Sequence, residues 1–202
     1  RLPTHRRRAE EDRLLKFRAT IAFASIFAAA IAQAPPSGAP LEELRDWAKS
    51  KVAAQEGVLK EMLDKVTPLF RSTPYGADSE SVRAAVQSLG ERAGVFADLI
   101  LDRLIKSESS DVRKHFADVL VASGDPAVAR ACLARAKTVG GDMAALLVRS
   151  AGRLKAPSAF DEFRAIIATE GVSSVVKAEA VLALAKGDAP DAAAIALGAI
   201  ND

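Results

Sequence analysis

The chain of 202 residues is poor in most of the groups that would announce a chemistry. It has one cysteine, Cys132, which excludes an internal disulfide. Two histidines, His5 and His115, together with that single thiol fall short of a Cys/His metal set. Aromatic residues make up only 5%, with one Trp and one Tyr, which disfavours a β-sandwich or barrel. Neither sign of charge dominates, since 28 Lys and Arg face 26 Asp and Glu for a net charge of +2. No basic stripe runs along the body of the chain, so nucleic acid is not an expected partner.

Half of the residues are hydrophobic, with Ala commonest and Leu, Val and Ile behind it. Small side chains let helix backbones approach closely, and Ala and Leu favour the helix itself. The composition therefore predicts an all-α protein.

Charge is concentrated at the N-terminus. Arg1, Arg6, Arg7, Arg8, Arg13, Lys16 and Arg18 precede Ala19–Ala34, sixteen residues without a charge. Such a run is short for a membrane span, which takes about 20 apolar residues, and fits the apolar core of a secretory signal peptide. Ala30-Ile31-Ala32 supplies small residues for cleavage after Ala32, whereas a cut after Ala34 would place Pro35 next to the bond. No cysteine follows, which excludes a lipoprotein anchor. The expected location is periplasmic or secreted. With more chain upstream, the same segment becomes a single-pass anchor holding the rest outside the cytoplasm, or it serves as a buried helix of the domain. Without residues 1–32 the remainder carries a net charge of −2.

Residues 33–40 form a Pro-rich spacer, and 41–77 a capping helix with its loop. Glu42 and Glu43 suit the start of that helix. Leu44, Trp47, Val58, Met62 and Val66 give it an apolar side, Gly57 is expected to divide it, and Pro68 to end it.

From residue 78 to 202 one phrase recurs. Asp78–Gly90 (DSESVRAAVQSLG) has a second copy beginning at Glu108 and a distant one at Val175–Gly187. Val82, Val112 and Val176 mark it at about thirty residues and then about twice that, the sign of a stacked repeat. Turns at Gly124-Asp125-Pro126, Lys155-Ala156-Pro157 and Gly187-Asp188-Ala189-Pro190 repeat the same spacing, each Pro opening a helix where its missing N–H does no harm. Four helix pairs follow: 79–89 with 91–106, 111–122 with 126–139, 142–154 with 158–169, and 173–186 with 191–200.

The D-x-x-x-V-R-x-A-x-x-x-L-G pattern at 78–90 resembles the first helix of a HEAT-type repeat, and the short units resemble the phycobilisome-lyase-like branch. The resemblance covers Asp78 to Ile200 and is best in the first unit. It implies a right-handed α-α superhelix, a HEAT-like solenoid of about four pairs. By the same resemblance Asp78, Arg83, Asp111, Arg113 and Lys177 form hydrogen-bonded ladders between neighbouring units.

Candidates for catalysis are thin. His115 on its helix could recruit Ser109 or Ser110 and Asp118, but helical neighbours coincide cheaply, and a surface or half-buried His is expected. Cys132 is expected to be a small core residue despite Arg130 and Arg135 beside it. Asp98 and Asp102, four apart, suit a solvated face better than a carboxylate pair for glycoside cleavage. Gly140-Gly141-Asp142 has no preceding strand and no Lys of a phosphate loop, and is a helix-start turn. No cofactor or metal follows from these residues.

The expected function is a non-catalytic scaffold that binds a protein or peptide. The family resemblance puts partners on the second helices, where Arg92, Asp102, Arg103, Arg130, Arg135 and Arg164 are the contact candidates. Ala192–Ile200, nearly all apolar, suggests the alternative of a homo-oligomer joined through that helix. A chromophore-lyase-like enzyme is the third reading, resting on the same resemblance.

Overall fold

The computed structural model describes residues 40–201. The expected signal or anchor segment, and all of the Pro-rich spacer except Pro40, lie outside the described residues. Among the described residues, eight helices and one 3₁₀ turn account for the regular structure, with no strand. The chain is all-α.

Two compact units divide it, the second beginning at Leu89. The described part of the first holds α1 (Leu41–Ser72) and the opening turns of α2 (Glu80–Lys106). Helix α1 is one uninterrupted element, not the two that Gly57 suggested. A Cβ at Gly57 would meet nothing within 4 Å, so the residue costs helix propensity and breaks no contact. Pro68 also lies inside the helix. The turn beyond it is held by the fully buried Phe70, which outweighs the hydrogen bond that proline cannot donate. Burial begins in earnest at Leu59 and continues through Met62, Leu63 and Val66, a stripe at helical spacing. Nearer the start, Lys51 lies over the Trp47 ring at 5.8 Å.

Helix α2 corrects a second expectation. The predicted break at Gly90 is displaced: two helical segments join across a kink at Phe96 (φ −120°, ψ 30°), and the element runs to Lys106. Gly90 has a different use. A Cβ there would lie 2.7 Å from the Ala122 Cβ, so the missing side chain is what lets the two backbones approach.

The second unit continues with α3 (Ser110–Ala122), α4 (Pro126–Ala136), α5 (Gly141–Arg153), a 3₁₀ turn at Pro157–Ala159, α6 (Phe160–Ala168), α7 (Ser174–Lys186) and α8 (Ala192–Asn201). These bounds follow the predicted pairs within a few residues. Packing runs in sequence and also skips an element, with α3 against α5 and α5 against α7. Helix α4 lies on α5, α6 on α7, and α7 on α8. Phe116, Leu120, Val128, Leu133, Leu147, Val148, Phe163 and Leu184 are buried at the centre of these contacts.

The period seen in the sequence has a physical basis in three places. Ser79, Ser109 and Ser173 each accept a hydrogen bond from the amide three residues on, that of Val82, Val112 and Val176, at 3.4 Å. An S-x-x-V cap thus opens α2, α3 and α7. The turns inside the pairs each carry a left-handed residue two places before proline: Gly124 (φ +61°), Lys155 (φ +49°) and Asp188 (φ +58°). After the first of these turns Asp125 caps α4 by accepting from the Ala127 amide at 2.8 Å. Small residues recur where first helices meet: Gly90 against Ala122, then Gly152, whose Cβ would fall 2.6 Å from that of Ala183.

Candidate functional site

The cap repeats in three helices and fails in one. At the position of Ser109 and Ser173, helix α5 has Gly140, which offers no side-chain hydrogen bond to the first amides. Gly141 follows with φ +56°, a conformation that suits a residue without Cβ. Four amides at a helix start have no intrahelical partner, and at α5 none receives a side-chain cap.

An open cleft of about 280 Å³ lies at this helix end. Its rim is formed by Lys137, Gly140 and Gly141 on one side and by Gly171, Val172 and Ser173 on the other. Ala144 and Val148 of α5, Ile166 of α6 and Val176 of α7 make an apolar floor. The starts of α5 and α7 both border it, so donor amides stand at the edge of a greasy slot. That combination suits a segment offering carbonyl oxygens and one apolar side chain. The floor is apolar, and Lys137 on the rim is the titratable side chain that lines the cleft.

The second-helix charges named from the sequence occupy a different place. Arg135 of α4 donates to Asp102 of α2 at 2.5 Å and lies 3.9 Å from Asp98. Arg164 of α6 donates to Asp191, just ahead of α8, through two nitrogens at 2.7 and 2.8 Å, and also to Asp161. Hydrogen bonding to Asp191 raises the Arg164 pKa, and that to Arg164 lowers the Asp191 pKa. Arg130 is exposed on α4, while Arg92 and Arg103 are partly covered on α2. Asp102, Arg135 and Arg164 therefore tie neighbouring helices together, and the structure does not gather the six into one site.

The ladder residues taken from the family resemblance behave differently too. Arg83 donates to Asp78 within its own turn, and Arg113 Nε donates to the Ser107 carbonyl at 2.6 Å. Connections from one first helix to the next are made by other residues. Arg153 of α5 donates to Asp118 of α3 at 2.5 Å, and Arg149 of α5 reaches Glu179 of α7 at 2.5 and 3.0 Å. The Asp and Arg of the repeated phrase are not the residues that make these connections, so the motif did not point to them.

No family model, curated protein or solved structure matches the chain.

The remaining candidates resolve into structure. Cys132 is fully buried, and burial pushes its thiol pKa up to about 12, far from a nucleophile. His115 is 3% exposed, deeper than the surface or half-buried position expected of it. Val112, Phe116 and Val119 on the same helix are buried as well, and His115 belongs to their face. Gly140-Gly141-Asp142 opens a helix as predicted. Among the described residues no group of three or more His, Cys, Asp or Glu could hold a metal ion, and no helix is long and apolar enough to cross a membrane. The cleft escaped sequence reading because its signal is a departure: a Gly where the repeat elsewhere has Ser.

Proposed function

We propose that the chain is a non-catalytic scaffold whose helix pairs stack as HEAT-like repeats and bind a protein or peptide partner. The cleft at the starts of α5 and α7 carries this reading. It joins uncapped amides to an apolar floor, which are the two things an extended segment needs from a receptor. The skip-one packing of α3, α5 and α7, and the period shared by caps, turns and small residues, support the repeat architecture. Residues 19–34 would export or tether the domain, placing the cleft outside the cytoplasm.

The test is a cross-linked capture from the native cell envelope with the full chain as bait, in wild-type form and as Val172→Trp. The substituted rim residue is half-buried, so the larger side chain fills the slot while leaving the core untouched. A stoichiometric partner lost at least tenfold in the variant is expected. A partner indifferent to Val172→Trp, or bait recovered alone, would sink the assignment of the cleft.

A further inference from the structure

Helices α5 and α7 hold equivalent places after their caps, Gly140 and Ser173. In this register Ala145, Arg149 and Gly152 correspond to Ala178, Leu182 and Ala185. On α5 that face is the one α7 covers: Gly152 meets Ala183, and Arg149 pairs with Glu179. On α7 the same face is bare. Val175 is 54% and Leu182 48% exposed, and Ala178 and Ala185 are exposed with them.

These four residues are spaced three, four and three apart, the seam of a paired helix. A helix covers the equivalent face of α5, and a helix fits this one as well. The seam is also complementary to itself. In an antiparallel pair Val175 faces Ala185 of the other copy and Leu182 faces Ala178, so each large side chain meets a small one. Charge favours the same arrangement. Lys186, exposed at the end of the seam, would face its own counterpart in a parallel pair. The antiparallel pair sends it instead toward the start of the other helix, which Glu170 precedes in the chain.

We infer that the bare face of α7 is an isologous interface, on which a second copy of this chain seats its own α7 antiparallel. The contact is separate from the cleft, since Val175, Ala178, Leu182 and Ala185 do not line it.

Sedimentation of the full chain in mild non-ionic detergent tests the pairing. The expected mass is twice the 21.2 kDa of one chain, falling twofold to the monomer for Leu182→Lys with helical content unchanged by circular dichroism. Leu197→Lys, on exposed α8, should leave the dimer intact. A cysteine experiment reads the direction. Mixed Val175→Cys and Ala185→Cys chains should form the disulfide heterodimer, while each alone should not, its two thiols being about 15 Å apart along the pair. A monomer at all concentrations, a dimer indifferent to Leu182→Lys, one dissolved by Leu197→Lys, or cross-linking of each variant with itself would overturn the inference.

Discussion

Helices α5 and α7 have the same length and adjoining places, and they differ in their caps and in what covers them. Helix α5 is held on both sides. Arg153 reaches back to Asp118, Arg149 reaches forward to Glu179, and Gly152 allows α7 to close on it. Helix α7 packs on α5, α6 and α8, and its Val175–Ala185 stripe is exposed among the described residues. The position that carries Arg149 in α5 carries Leu182 in α7. Where a neighbour of the same chain is present, the face between them is specified by one charge pair and one missing side chain. Where none is present, the face is apolar throughout. A stacked helix thus declares its neighbour through its residues, and a change of residue type at one register position marks a change of neighbour.

Substituting Gly152 should break this comparison most severely. Gly152→Val pushes a branched side chain into Ala183, where even a single Cβ would lie 2.6 Å away, and a stability loss of about 1–3 kcal/mol is expected. Urea titration measures it, and a loss under half a kcal/mol would mean that α5 and α7 can separate freely. Removing the cap on α7 comes next. Ser173→Ala should cost about 1 kcal/mol, because the Val176 amide loses its acceptor. The same titration checks it, with Ser109→Ala as an internal standard at the same cap position. The smallest effect should come from making α5 resemble α7. Gly140→Ser restores the repeated cap and should gain a few tenths of a kcal/mol. Its larger consequence lies in binding: if the free amides hold the ligand, the variant should weaken capture while raising the melting temperature.

The helices were legible in the sequence because periodicity, proline and caps all act locally. Val82, Val112 and Val176 lie at the same place in three helix starts, and Pro126 and Pro157 open their elements as expected. Gly90 and Pro68 misled, for one reason. Glycine is a weak breaker and proline a strong one, and in both places tertiary packing outweighs the cost, at Gly90 through the Ala122 contact and at Pro68 through the anchoring of Phe70. Six charges were offered as partner contacts, but sequence cannot show which of them are paired within the fold. Arg135 and Asp102 are 33 residues apart and Arg164 and Asp191 27, distances at which no local rule operates. The cleft was hidden more deeply, since the uncapped start of α5 gains meaning only beside the apolar residues of α6 and α7 that the fold brings to it.

The charged connections of the second unit join residues 27, 30, 33 and 35 places apart. Closing loops that differ this little changes the entropic cost by only about 0.2 kcal/mol from the shortest to the longest. No connection is therefore a late, expensive event on which the others must wait. In the stacked array proposed above, folding can start at whichever helix pair forms first and spread outward in either direction.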